Sequence, residues 1–581
     1  MIGLAPKGLQ RWFPILQWGR HYRGQQFADD VLAAVIVMVM LIPQSLAYAM
    51  LAGLPPEMGL YASVLPLIAY TVFGTSRALS VGPVAVISLL TAAAISRLGL
   101  TDPAQMISAA MLLALMSGVF LLLMGILRLG FVANFLSHPV IAGFITASGI
   151  LIALGQVPAL LGIQGGGHNL IELLHSLGLS LLETVNAPNW PTKAVGLITL
   201  LYLFWSRSSL APLLRKAGLS ERGATMSARL SPILAVVGSG FAAWYLDLGA
   251  KGLALVGTVP AGLPGLTVPD VSLTMLQALA VPAVMIGLLG FVESVSVAQG
   301  LAAKKRERIQ PDQELVALGS ANIASSFAGG FPVAGGFSRS VVNFDAGAAT
   351  PAAGFYAAVL MGVATFVLMP MLAWLPRATL AATIIVAVWS LVDFSILKKA
   401  WNYSRADFLA VLSTIVMTLA MGVEAGVGAG VLVSILVHLY KSSRPHVAIV
   451  GEVPGTEHFR NVQRHQVVTH PHILSLRVDE SLYFANTRFL EDLVYKEVSE
   501  RPALKHIILM CSAVNEIDLS ALESLEAINS RLGDLGIKLH LSEVKGPVMD
   551  ALRRSHFLHD ITGKVYMSQH QAVTDILLAD V

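Results

Sequence analysis

The chain has 581 residues, 55% of them hydrophobic and only 13% charged, with a mean hydropathy of +0.71. Soluble domains carry about 25% charged residues, so the composition excludes a wholly soluble protein and points to a membrane protein. The net charge of +3 is small and gives no sign of a nucleic-acid partner.

The N-terminal stretch LQRWFPILQWGRHYRG mixes Trp, Leu, Ile and Arg, as a segment at a membrane interface does, and shows no short apolar run with a cleavage site. From about Val31 to His438, apolar runs alternate with short polar breaks. A helix needs about 20 apolar residues to cross a bilayer. Runs of that kind begin near Val31, Leu60, Met106, Val140, Ala194, Ser231, Leu279, Ala352, Leu380, Phe408 and Gly426. The opening stretch, VGPVAVISLLTAAA (81–94) and ELVALGSANIASSFAG (314–329) are shorter or broken. Together these segments predict roughly fourteen helices.

Alternate loops are basic. One set holds Lys7, Arg11, Arg20, Arg23, Arg77, Arg128, the segment from Arg207 to Arg229, KKRER (304–308), Lys398, Lys399 and Arg405. The other holds little beyond Arg97, Lys193, Lys251 and Arg377. Basic short loops face the cytoplasm, so the N-terminus and the C-terminal tail are both expected inside.

The third element opens at SVGPVAVIS, and seven elements later comes GGFSRSVVN. Broken helices at corresponding places in two halves are the mark of inverted-repeat transporters. The alternative is that Gly and Pro only let helices pack closely. Ionisable residues in spans cost about 2.5–3.5 kcal/mol at a helix centre, which singles out Glu293, deep in LLGFVESVSVAQG, and Arg339, at the start of the tenth element. Asp29, Asp30, Asp345 and Glu424 read as helix-start or loop residues. Gln44 and Tyr48, four residues apart, share one helix face, where ordinary interhelical hydrogen bonding is the other reading.

Arg339 beside the hydroxyl of Ser338, with two helix starts aimed at one point, makes an anion site. An Arg339–Glu293 pair that only holds helices together is the competing assignment. Arg339 and two helix ends sum to roughly +2. That matches a divalent oxyanion when Glu293 is protonated, so proton–anion symport is the economical expectation.

The stretches IPQSLAYAMLAGLPPEMGLYASVLP, GPVAVISLL, GFVESVSVAQ, GGFSRSVVNFDAGAATP and LPRATLAATIIVAVWSLVD resemble the SulP (sulfate permease) family, from about residue 20 to the end. The resemblance implies a polytopic α-helical membrane protein. About fourteen transmembrane helices would form seven-plus-seven inverted repeats, arranged as core and gate domains that move against each other. It implies an anion site formed by Gln44, Tyr48, Ala85 with Val84, Ser338 with Phe337, and Arg339, with Glu293 linked to proton coupling. It further implies sulfate and a proton as partners, a homodimer in the cytoplasmic membrane, and neither metal nor other cofactor. Relatives that carry bicarbonate with sodium place an Asp-containing sodium site in the eighth span; FVESVSVA looks closer to the proton-coupled pattern.

From about Val447, short β runs (472–478, 506–511, 538–544) alternate with amphipathic helices (486–499, 519–533, 546–554), which argues an α/β sheet. MCSAVNEIDLSALESLEAI resembles the STAS domain that closes most SulP proteins. The expected division is therefore 1–440 for the transporter domain and 441–581 for a cytoplasmic STAS domain. In anti-sigma-factor antagonists the corresponding turn carries a phosphorylated Ser. Here Leu519 stands in that place, and Ser520 reads as a cap or first-turn residue.

Cys511 is the one cysteine, so no intrachain disulfide forms. No metal-ligand cluster and no Ser/His/Asp set is visible, and His138 in SHPV reads as a helix-start or interface residue, so the chain does not read as an enzyme. A bicarbonate or dicarboxylate carrier, a channel, and a membrane-tethered signalling protein remain as other functional readings.

Overall fold

The computed structural model describes residues 12–135, 138–167, 169–183, 189–218, 220–221, 224, 227–228, 231–257, 262, 265–389 and 392–579. Lys7, Arg11 and Arg229 lie outside the described residues, as do the side chains of His138 and Glu424. The chain divides into two compact units, Met1–Val433 and Ser434–Val581.

The first unit is helical. Its main helices are α1 (Gly24–Leu51), α2 (Leu65–Phe73), α3 (Ala85–Ser96), α4 (Pro103–Ile126), α5 (His138–Gly155), α6 (Trp190–Trp205) and α7 (Ser231–Tyr245). Then come α8 (Leu273–Lys304), α9 (Pro311–Phe327), α10 (Phe337–Asp345), α11 (Ala352–Leu372), α12 (Arg377–Trp389) and α13 (Arg405–Met421), and α14 (Val423–Ser443) runs across the boundary. Among the described residues, six helical stretches are long and apolar enough to cross a membrane: Gly24–Leu51, Pro103–Ile126, Pro139–Leu161, Trp190–Lys216, Leu273–Lys304 and Ala425–Ser443. Among the other helices, α3 and α10 are short and follow broken segments, while α11 runs for 21 residues.

The packing of these helices has an internal two-fold. α4 packs on α8 and α9, and α11 packs on α1 and α2. α3 lies against α1 and α8, and α10 against α8 and α1. α5 meets α13 and α12, and α12 meets α6 and α5. Replacing each helix by the one seven places along maps this set onto itself. Two short strands, β1 (Val81–Gly82) and β2 (Ala334–Gly335), pair antiparallel with Val81 opposite Gly335 and Gly82 opposite Ala334. That is the pairing a two-fold axis between the halves requires.

Small residues set the closest approach. A Cβ on Gly118 of α4 would lie 2.8 Å from the Gly319 carbonyl oxygen, and one on Gly319 of α9 would lie 2.7 Å from the Leu122 nitrogen. The two backbones touch, as small residues permit in membrane helix pairs.

Two buried carboxylates tie the halves together, and here the expectation for Asp30 is corrected. Asp30 is fully buried rather than solvated at an interface. It accepts from the Ala349 and Thr350 N–H groups (2.7 and 3.0 Å), from the Thr350 hydroxyl (2.6 Å) and from Tyr22 (3.2 Å). Glu314 of α9, also fully buried, accepts from the Thr75 N–H and hydroxyl (2.8 and 2.5 Å), the Ser76 N–H (3.2 Å) and Tyr70 (2.8 Å). Each acid reaches from one half into a loop beside the broken helix of the other. With this many donors, the desolvation cost of each carboxylate is largely met.

The second unit is an α/β sheet with strand order β4-β3-β5-β6-β7-β8: β3 (Val447–Glu452), β4 (Phe459–Asn461), β5 (Ile473–Val478), β6 (His506–Met510), β7 (Lys538–Ser542) and β8 (Val565–Tyr566). β5 to β8 are parallel, and β3 pairs antiparallel with both β4 and β5. Helices α15 (Thr487–Glu500), α16 (Leu519–Asp534), α17 (Gly546–Leu552) and α18 (Gln569–Ala579) complete it. β6 reads as a continuous apolar run because both its faces are buried. Ile507 and Leu509 join the core of α15, α16 and α17, while Ile508 and Met510 join the core of α18.

Candidate functional site

The site lies where α3 and α10 begin, on either side of the β1–β2 pair. The breaks are pinned by side chains. Ser340 Oγ donates to the Gly336 carbonyl (2.7 Å) and accepts from the Ser80 N–H (3.0 Å), and the Gly336 N–H donates to the Ser80 carbonyl (3.1 Å). Ser294 of α8 accepts from the Gly335 N–H at 2.7 Å. Asn343 donates to the Ala78 carbonyl (3.1 Å), and Asn322 both donates to and accepts from Val333 (2.9 Å each). Irregular backbone at this depth thereby keeps its partners.

What the pins leave open are the helix starts. α3 follows Val84 and α10 follows Gly336, both extended, and neither start has a side-chain cap. The first intrahelical bonds run from the Ser88 N–H to Val84 and from the Ser340 N–H to Gly336. The N–H groups of residues 85–87 and of residues 337–339 are therefore not used within the two helices.

Arg339 is 2% exposed, yet its Nη1 and Nη2 have no hydrogen-bond partner in the protein. It is the only charged side chain among the described residues with buried, unpartnered nitrogens of this kind. Its guanidinium lies against the strand pair: a Cβ on Gly336 would come within 2.9 Å of Nη2, and one on Gly82 within 3.1 Å of Nη1. Tyr48 and Glu293 are both within electrostatic reach of it, but no Arg339–Glu293 ion pair forms. The pair that would only hold helices together is absent from this arrangement.

The other expected residues distribute as follows. Tyr48, Val84 and Ala85 are buried, Glu293 is partly buried, and Phe337 is exposed. Gln44, one residue beyond Pro43 within α1, lines a cavity of about 210 Å³ together with Ser338. The structure therefore brings Tyr48, Glu293 and Arg339 near one another and joins Gln44 to Ser338. Phe337 does not line that cavity. The sequence reading missed the pins Ser294, Asn322, Ser340 and Asn343. For Asn322, Ser340 and Asn343 the signal was present, polar residues within two turns of the Gly-rich break at 329–336, whereas Ser294, in the middle of the unbroken α8, had only its polarity to mark it.

In the second unit, Asp518 rather than Ser520 caps α16, accepting from the Ala521 N–H at 2.8 Å, and Ser520 is a first-turn residue. Leu519 is the exposed first residue of the helix. Burial pushes the Cys511 thiol up to about 12, which makes it unreactive at neutral pH. No group of three His, Cys, Asp or Glu residues that could hold a metal is found among the described residues.

The sequence pattern of the sulfate permease family matches residues 27–414. This chain belongs to that family. The STAS domain pattern matches residues 464–572. Sulfate transporter 4.1, chloroplastic, of Arabidopsis thaliana is 33% identical over 97% of this chain and 82% of its own length. A probable sulfate transporter of Mycobacterium tuberculosis (strain CDC 1551 / Oshkosh) is 32% identical over 95% of each. Among solved structures, murine Slc26a9 in the inward-facing state superposes with a TM-score of 0.88 at 22% identity, over 100% of this chain and 96% of that one. The transmembrane domain of the cyanobacterial bicarbonate transporter BicA gives 0.61 at 24% identity, over 70% and 99%. The chain is thus a multi-pass membrane protein of an anion-transporter family, with the helical transporter fold and a C-terminal STAS domain, and the family is one of transporters rather than enzymes.

Proposed function

We propose that this protein is a secondary active transporter that carries sulfate into the cell together with a proton. The observation that carries the reading is the buried, unpartnered guanidinium of Arg339 beside two uncapped helix starts. A buried charge without a partner is costly, and a cradle of N–H donors around it suits an anion. Arg339 and the two helix ends supply roughly +2. Sulfate brings two negative charges, so the balance closes when Glu293 is protonated. With one proton and one sulfate aboard, the loaded site is then electrically neutral.

In this reading Gln44, Tyr48 and Ser338 orient the oxyanion, Val84, Ala85 and Phe337 shape its enclosure, and Arg339 holds its charge. The fourteen helices form two inverted halves, with α1–α4 and α8–α11 as a core that moves against the remainder. Residues 1–440 carry the anion and 441–581 form the STAS domain. Both termini face the cytoplasm, and the protein works as a homodimer in the cytoplasmic membrane. Several related chains are named sulfate transporters, which favours sulfate over the bicarbonate carried by BicA.

The test is uptake of labelled sulfate into proteoliposomes under an inward proton gradient, an inward sodium gradient, or neither. Symport predicts accumulation with the proton gradient alone. Accumulation that needs sodium, or uptake of bicarbonate in preference to sulfate, would replace this reading with the sodium-coupled one.

A further inference from the structure

Two cavities share α1 as a wall, and the internal two-fold relates three of their other walls. The one that holds Gln44 and Ser338 is walled by α1, α6, α7, α10 and α12, with Leu203, Arg207, Thr383 and Val386 among its lining residues. The other, about 470 Å³, is walled by α1, α3, α5, the end of α13 and residues 166–173, and includes Arg97, Gln156 and Glu172. Moving seven helices along converts α3, α5 and α13 into α10, α12 and α6. α1, shared by both, would become α8, which lines neither, so the equivalence is partial. Their charges differ as well: Arg97 shares its cavity with Glu172, whereas among the described residues Arg207 is the one charged residue lining its own.

Of the two, only the first includes residues expected to touch the anion. Arg207 is held at its edge by a specific device. After Trp205 the helix widens into a π turn, Ser206–Leu210; such turns insert an extra residue and re-aim side chains. Ser206, fully buried, fixes the turn by donating to the Leu203 carbonyl and bonding Ser231 at the start of α7, both at 2.9 Å. Arg207 Nη1 then donates to the Val386 carbonyl at 3.2 Å across the cavity. One of five guanidinium donors is used in this contact. The arginine is anchored over a cavity that leads to Ser338, where a freely solvated loop residue would need no such fixing.

We propose that Arg207 is a second anion-binding residue, which captures the substrate oxyanion in the vestibule on its own side before Arg339 receives it, or as Arg339 releases it. The inference rests on the transport reading above. Arg207 is exposed, and an arginine at a cavity mouth raises the local anion concentration, an effect that salt screens.

The experiment uses right-side-out and inside-out membrane vesicles carrying the full chain, with half-saturation for labelled sulfate measured from each face. Arg207→Gln is expected to raise half-saturation about fivefold from the Arg207 side and less than about twofold from the other, the size of a lost partly screened charge contact. Arg207→Lys stays within about twofold of wild type, because charge rather than the fork does the capture. Raising ionic strength should weaken sulfate binding from that side in the wild type and barely change it in Arg207→Gln. Unchanged half-saturation in Arg207→Gln overturns the inference while leaving the transport reading intact. So does an equal rise from both faces in the Gln and Lys variants, which would mark a purely structural contact with Val386. A wild type that exchanges neither sulfate, bicarbonate nor oxalate overturns the transport reading, and this inference with it.

Discussion

Arg339 in the membrane unit and His540 in the tail are both buried, at 2% and 4% exposure, and they are treated in opposite ways. Around His540 the ring nitrogens are engaged: Nδ1 accepts from the Lys564 N–H at 3.0 Å and Nε2 lies 3.1 Å from His506 Nδ1. Nearby, Gln569 joins Ser475 (2.8 Å) to Ser542 (2.5 Å). Around Arg339 the protein spends its donors and acceptors on pinning the backbone and leaves the guanidinium tips alone. A satisfied buried network specifies a fold. A buried charge without a protein partner leaves its donors for water or a ligand. The same contrast holds within the site, since α3 offers only apolar side chains at its start and α10 offers Ser338 and Arg339. Symmetry sets the geometry, and its breakage supplies the charge.

Substitution at Arg339 breaks that comparison most severely. Arg339→Gln should abolish sulfate uptake, and Arg339→Lys, which keeps charge but loses the planar fork, should lose about 100-fold or more in initial rate. Both proteins should reach the membrane in ordinary amounts, because no protein partner of Nη1 or Nη2 is lost. Ala85→Ser, at the corresponding start of α3, should change the rate less than about threefold. Equal sensitivity at the two positions would mean that the charge does not define the site.

Glu293→Gln sharpens the electrostatic half of the argument. The variant carries the neutral side chain permanently, so sulfate exchange at equal pH should persist while acceleration by an inward proton gradient, expected at about tenfold or more in the wild type, disappears. A Glu293→Gln protein that still concentrates sulfate on a pH gradient would remove the proton from the mechanism.

The glycines beneath Arg339 give a smaller, graded effect. Gly336→Ala places a methyl 2.9 Å from Nη2 and 3.0 Å from Nε, so the guanidinium must shift; Gly82→Ala meets Nη1 at 3.1 Å. A displacement under about 1 Å at a charged site costs on the order of tenfold for the first and about threefold for the second, read as the half-saturation for sulfate. If Gly82→Ala proves the more damaging, Arg339 works from a position other than the one seen.

Much of this was legible in the sequence. The broken third and tenth elements, Arg339 and Glu293 all follow from period, Gly placement and the cost of charge in membrane, and the tail strands 473–478, 506–510 and 538–542 fall within two residues of the apolar runs. Asp30 and Glu314 were not legible in their real role. A carboxylate at a helix start looks solvated in sequence, and only the fold brings the loops of residues 345–352 and 74–80 over them. Arg207 was hidden for the same reason: it counted as one basic loop residue among several, and the π turn that aims it leaves no periodic trace. Leu519, by contrast, could be read directly, because the missing hydroxyl is a matter of identity rather than of arrangement.

The smallest expected effect lies in the tail and tests the other side of the comparison. Burial, with His506, Lys538 and Lys564 adding to it, lowers the pKa of His540 from its ordinary 6.5 to about 4. The folded tail therefore prefers the neutral ring. Above pH 6.5 both folded and unfolded chains hold it neutral, and the full stability is present. As pH falls from 6.5 towards 4, the unfolded chain takes up a proton that the folded one refuses, so stability declines, and it levels off below 4. Between about pH 7 and pH 5 the tail should lose roughly 1–2 kcal/mol, allowing for solvent screening, measured by urea unfolding of residues 441–581 followed by circular dichroism. His540→Gln should flatten that slope while leaving sulfate half-saturation in the full chain unchanged, because a network already satisfied within the protein has no free group to offer an anion. A His540→Gln protein with altered sulfate affinity would show that the two buried clusters are coupled, and that satisfaction alone does not separate a structural group from a functional one.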